Sequence, residues 1–141
     1  HAAVPQAKAG SLLQAKPGQG GEIAFMATGS LVRMAMDIAT ASYPDAAVWS
    51  APFIKPMDSK QVTAICARSR AVVVLEEHSV LGGLGSVITE IASEFAPVRI
   101  LRLGVQDRFS QHCGTYEYLL KEHGLDRSAI EQRIRDFIIA N

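Results

Sequence analysis

Most residues that advertise chemistry are scarce here. Only 2 cysteines occur among 141 residues. Cys66 and Cys113 form no Cys-X-X-Cys pair and are too few for a disulfide framework, so a reducing compartment, the cytoplasm, is expected. Neither sign of charge prevails, with Lys+Arg and Asp+Glu at 14 each. A balanced chain lacks the electrostatic footprint of a nucleic-acid or acidic-lipid binder, so neither partner is expected. No apolar stretch approaches the roughly 18 residues of a membrane helix, and the amino end lacks the basic-then-apolar order of a signal peptide. His1 stands where an initiator Met would, which leads us to expect an excised piece or one half of something longer.

What is present is a regular alternation. The run Val72-Val73-Val74-Leu75-Glu76-Glu77-His78-Ser79-Val80-Leu81-Gly82-Gly83-Leu84-Gly85-Ser86 changes period abruptly. A continuous apolar stretch, an acidic corner and three glycines within four positions lead into a helical stripe of Leu84, Val87, Ile88, Ile91, Ala92 and Phe95. This pattern predicts a buried strand turning tightly into a helix that lies on a sheet. Gly82, Gly83 and Gly85 suit a tight turn and close approach of helix to strand.

The same rhythm extends along the chain. Residues 1–21 hold Pro5, Pro17, Gly18, Gly20 and Gly21, and read as a linker from a preceding domain, with a short strand near residues 11–15. Residues 23–27 predict a strand, and Leu31, Met34, Ala35, Ile38 and Ala39 a helix that stops at Tyr43-Pro44. After a strand at 46–50, Asp58 is a candidate N-cap with Gln61 at the reciprocal position of a capping box, before the inward face Val62, Ile65, Cys66 and Ser69. Strands at 71–76 and 98–103 follow, then helices at 115–123, stopped by Gly124, and from Asp126 or Ser128 with Ile130, Ile134, Phe137 and Ile138 inward. The expected fold is α/β, a three-layer α/β/α sandwich with a mostly parallel sheet of about five strands.

No motif assigns an active site. Gly83-Leu84-Gly85 is followed by Ile88 where a dinucleotide fingerprint needs glycine or alanine, and no Walker sequence occurs. The helix start near Ser86 offers N–H groups that can hold a small anion, but close strand-helix packing explains the same glycines. His78, beside Glu76 and Glu77 at a strand end, is a candidate acid/base group or a turn and interface residue. His112-Cys113 are neighbours that do not easily face one metal, and no second ligand pair has suitable spacing. No catalytic, cofactor-binding or metal-binding residue is expected in this chain. The candidates for an interface or anion contact are His78, Gly82, Gly83, Gly85 and Ser86.

Resemblance takes the reading further. Ala27-Thr28-Gly29-Ser30, Pro52-Phe53-Ile54-Lys55-Pro56-Met57-Asp58 and Val74-Leu75-Glu76-Glu77-His78 with the glycine junction come first. Arg102-Leu103-Gly104 with Asp107-Arg108-Phe109, then Tyr118-Leu119-Leu120-Lys121-Glu122-His123-Gly124-Leu125-Asp126, come next. In that order they resemble the successive motifs of the transketolase carboxy-terminal domain, here spanning residues 22–141. Phe109-Ser110-Gln111-His112, Gly114 and the Gly124-Leu125-Asp126 ending also resemble 1-deoxyxylulose-5-phosphate synthase. The β subunit of 2-oxoacid dehydrogenases is similar to a lesser degree. Lys55-Pro56-Met57-Asp58 and Glu76-Glu77-His78 favour transketolase.

The resemblance implies a parent enzyme of carbohydrate metabolism, of the pentose phosphate kind, that uses thiamine diphosphate and Mg²⁺ to move a two-carbon ketol unit between sugar phosphates. It implies that neither cofactor is bound by this domain, because the family places its cofactor ligands and catalytic groups on the diphosphate- and pyrimidine-binding domains. Those two domains are the implied partners, in a homodimer or a split-subunit assembly. An independent anion-binding regulatory module, and an enzyme relying on His78 or Cys113 alone, are the competing classes.

Overall fold

The computed structural model describes residues 10–52, 56–79, 83–105 and 125–140. In chain order these form β1 (Leu13–Lys16), β2 (Ile23–Ala27), α1 (Leu31–Ser42), β3 (Ala47–Ser50), α2 (Ser59–Ala67), β4 (Ala71–Ser79), α3 (Leu84–Phe95), β5 (Arg99–Val105) and α4 (Arg127–Ile139). The strands make one sheet in the order β1-β3-β2-β4-β5. β2 runs parallel to β3 and β4, and β4 parallel to β5, while β1 joins the edge antiparallel to β3. No helix among the described residues is long and apolar enough to cross a membrane.

The two central strands are apolar on both sides, and this dictates three layers. Successive side chains of a strand point to opposite faces, so a continuous apolar run needs cover above and below. Phe25, Ala27, Val73 and Leu75 pack with Leu31, Ala35 and Ile38 of α1 and Ile130 and Ile134 of α4. Ala24, Met26, Val72 and Val74 pack on the other side with Val62 and Ile65 of α2 and Leu84, Ile88 and Ala92 of α3. All eight strand residues are at most 3% exposed. Burying each larger side chain contributes about 1.5–3 kcal/mol relative to leaving it in water. The expected α/β/α sandwich with a mostly parallel sheet is the observed architecture.

Asp58 caps α2 as the sequence predicts, its Oδ1 accepting the N–H groups of Lys60 and Gln61, both at 3.1 Å. Gln61 departs from the capping-box expectation. Its Oε1 accepts the Leu12 N–H at 2.7 Å and its Nε2 donates to the Leu12 carbonyl at 3.0 Å. A side-chain amide carries both a donor and an acceptor, so it pairs with a peptide unit as a neighbouring strand would. The Asp58 N–H adds a bond to the Gly10 carbonyl at 2.7 Å. Within the stretch expected as linker, the residues preceding and forming β1 are therefore tied to α2 and β3. Ser69, expected on the helix face, lies beyond the end of α2, where its hydroxyl donates to the Ile65 carbonyl.

At the opposite edge Arg99 holds α4 to β5. Its guanidinium lies 4.3 Å from the centre of the Phe137 ring and donates to the Phe137 carbonyl at 2.9 Å. The helix expected at 115–123 and its stop at Gly124 lie outside the described residues, as does the His112-Cys113 pair.

Candidate functional site

The junction between β4 and α3 gathers the polar side chains that the core does not explain. Glu76 follows the apolar run and points, by strand alternation, to the same face as Val72 and Val74, the face that α3 covers. It is 1% exposed. Its Oε1 accepts the Leu84 N–H at 3.0 Å and its Oε2 the Gly85 N–H at 2.6 Å. The N-cap of α3 is Gly83, which has no side chain with which to cap. Glu76 satisfies two of the helix's free N–H groups from eight residues upstream, and its carboxylate lies at the positive end of the helix dipole. Hydrogen bonds to a charged group contribute about 1.5–3 kcal/mol each, so this is a strong clamp.

Gly85 is small because two side chains converge on it. A Cβ there would stand 2.8 Å from Arg102 Nε and 3.1 Å from Glu76 Oε2. Arg102 of β5 reaches under the first turn of α3 and donates from Nη2 to Ser86 Oγ at 2.7 Å. Thr28 follows β2 in register next to Glu76, with its N–H donating to the Leu75 carbonyl at 3.1 Å. Its hydroxyl is buried without a protein partner.

Of the residues singled out in the sequence, Gly83, Gly85 and Ser86 are thus brought together at one helix start. His78 lies in β4, with its side chain outside the described set, and Gly82 lies outside the described residues. Glu76 and Arg102 complete the cluster, and beyond their places in the motifs quoted above each is marked in the sequence by a charge on the same strand face as apolar core residues. The N–H groups of Leu84 and Gly85 already donate to Glu76, so an incoming anion would have to compete with a carboxylate of the chain itself. Among the described residues no group of three or more His, Cys, Asp or Glu side chains is placed to hold a metal ion. Burial pushes the Cys66 thiol up from its ordinary value, which disfavours the reactive thiolate.

The cluster is built for packing a helix onto a strand end. Residues 14–130 match the family described as transketolase, C-terminal domain. The chain belongs to this family. It is 40% identical over 118 residues to 1-deoxy-D-xylulose-5-phosphate synthase of Cupriavidus necator, covering 83% of this chain and 18% of the relative. The enzyme of the same name from Dechloromonas aromatica is 38% identical over 136 residues, covering 94% of this chain and 22% of the relative. This member of the transketolase C-terminal family therefore spans about a fifth of the length of these curated relatives. Among solved structures, a split-gene transketolase described as an inactive β4 tetramer superposes with a TM-score of 0.84 at 28% identity, covering 96% of this chain and 44% of the other. Transketolase from Campylobacter jejuni shares the fold with a TM-score of 0.63 at 16% identity, covering 90% of this chain and 18% of the other.

Proposed function

We propose that this chain is the carboxy-terminal domain of an enzyme of the 1-deoxy-D-xylulose-5-phosphate synthase kind, and that it supplies packing surface while other domains supply the chemistry. The observation that carries this reading is the 40% identity to such a synthase over most of the chain. The motifs that tilt the sequence toward transketolase are short. The longer identity supports the alternative named beside it, and ketol transfer between sugar phosphates becomes the second reading, favoured by the split-gene transketolase likeness.

Thiamine diphosphate and Mg²⁺ belong to the parent enzyme in either reading. The described residues do not fit them, since the buried carboxylate Glu76 is spent on Leu84 and Gly85 and no cluster of metal ligands accompanies it. The partners are then the pyrimidine- and diphosphate-binding domains, on one chain or on split subunits, in a cytoplasmic homodimer or larger assembly. Residues 1–21 lead in from the preceding domain, and 22–141 are the domain itself. His78, Gly82, Gly83, Gly85 and Ser86 are interface candidates, because the sequence groups them where β4 gives way to α3.

The test reconstitutes this chain with its parent domains and follows two products. Formation of 1-deoxy-D-xylulose 5-phosphate is expected, and ketol transfer between sugar phosphates without it would replace the first reading by the second. Calorimetry of the 141-residue chain with thiamine diphosphate, Mg²⁺ and sugar phosphates is expected to give no heat. A saturable site, or turnover by the chain alone, would overturn the non-catalytic role.

A further inference from the structure

The outer edge of β3 is filled in the manner of a bound peptide. Among the described residues β1 has β3 as its only strand neighbour, with Leu13 opposite Ser50, Gln14 opposite Trp49 and Lys16 opposite Val48. The register shifts between Gln14 and Lys16, so the ladder is short and interrupted. Bonds from outside the ladder hold the segment as well. Gln61 of α2 takes the Leu12 N–H at 2.7 Å and gives a proton to the Leu12 carbonyl at 3.0 Å, and the Asp58 N–H holds the Gly10 carbonyl at 2.7 Å. At the other end Lys16 Nζ donates to the Pro44 and Ala46 carbonyls at 2.6 and 2.8 Å.

The apolar contribution of this segment is confined to one side chain. Within residues 10–16 only Leu12 buries an apolar side chain, at 3% exposure, in the core layer that holds Met26, Ala51 and Val62. No residue of β1 itself is fully buried. The two central strands draw the rest of their cover from the four helices. Residues 17–22 join β1 to β2 across the surface, where the Gln19 N–H bonds the Asp45 carbonyl at 3.0 Å and Gly20 has open space where a Cβ would stand. Main-chain bonds along a sheet edge, with one pocketed side chain, are the means by which sheets take up extended peptides.

We propose that the edge of β3, with Gln61 and the socket of Leu12, is a docking groove for an extended peptide that carries a leucine and, four positions on, a lysine, and that residues 10–16 occupy it as a ligand separable from the folded body. The body from residue 22 onward keeps its fold when the segment leaves. The bonds to Gly10 and Leu12 engage main-chain atoms and set the direction and register of the strand, while the Leu12 side chain and the Lys16 ammonium select its sequence. The groove lies apart from the β4-α3 junction and does not depend on the assembly role proposed above.

A protease recognition sequence inserted at Gly20 of the full chain, and cut only after folding, frees residues 1–19 from the body without deleting anything. Trp49 is the single tryptophan and the register partner of Gln14, so its fluorescence reports whether the groove is filled. On dilution of the cut protein into low urea the emission is expected to shift while the helical circular dichroism is kept, and a synthetic peptide of residues 8–17 is expected to restore the emission saturably. Leu12→Ala in the peptide and Gln61→Leu in the body are each expected to weaken rebinding about tenfold or more. A segment that leaves only together with the helical signal, or a stripped body that does not take the peptide back, overturns the proposal. So does equal affinity for the wild-type and Leu12→Ala peptides, or of the wild-type and Gln61→Leu bodies.

Discussion

Glu76 Oε2 accepts the Gly85 N–H at 2.6 Å, and a Cβ on Gly85 would stand 3.1 Å from that same oxygen. The pair explains both residues at once. Of the two residues the carboxylate caps, Gly85 lacks a side chain on the side where Oε2 approaches, and the helix start sits directly on the strand end. An anion site and a packing joint need the same two ingredients, free N–H groups and glycine. Here the chain's own carboxylate occupies the N–H groups, which makes the joint.

Glu76→Gln tests the clamp with little change of shape. The amide keeps one acceptor for Leu84 or Gly85, but its NH₂ group must face the other N–H, so one buried donor loses its partner and the charge is lost. A destabilisation of about 2–3 kcal/mol is expected in urea unfolding. A variant within ~0.5 kcal/mol of wild type would show that the clamp contributes little.

Gly85→Ala tests the close approach. Alanine gains about 1 kcal/mol of helix propensity over glycine, so the change stabilises the helix if there is room. The contacts with Arg102 and Glu76 are expected to outweigh that gain and leave a net loss of about 1–2 kcal/mol. Combining the change with Arg102→Ala removes the nearest atoms, and a double-mutant cycle should return a coupling of more than ~0.5 kcal/mol.

Gln61→Leu tests the strap on the amino-terminal segment. The leucine keeps apolar bulk but removes both bonds to Leu12, and the Leu12 N–H then has no partner. We expect a loss of about 1–2 kcal/mol. The Leu12 amide should exchange with deuterium much faster, while amides of β4 keep their protection.

How these contacts relate to the sequence follows from their range. Leu31, Ala35 and Ile38, and likewise Leu84, Ile88 and Ala92, meet at steps of three and four, so helical periodicity places α1 and α3 on the sheet without further information. The Asp58 cap is equally local, made across two and three residues. Gln61 reaches a peptide unit 49 positions away and Arg102 a hydroxyl 16 positions away, and nothing in the local pattern of either residue specifies such partners. Gly85 is legible as a residue needing space but not as to what fills it. That depends on how β5 lies beside β4, with Arg102 opposite Val74.

The pH dependence has a definite sign. Cys66 titrates above its ordinary value of 9.0 because it is buried, and Tyr43 above 10.0, chiefly through desolvation, which outweighs the lowering by Arg135. For both, the neutral acid is the form that the folded state favours. Above pH 9 the unfolded chain releases its Cys66 proton while the folded chain retains it, so the unfolded state binds fewer protons and stability falls as pH rises. The contribution is fully present below the unfolded value and is lost progressively until the folded value is passed. Urea midpoints measured from pH 8 to 11 should therefore decline, and Cys66→Ala should flatten the part of the decline that begins near 9.0. A wild-type slope unchanged in that variant would assign the alkaline loss to Tyr43 or to groups outside the core.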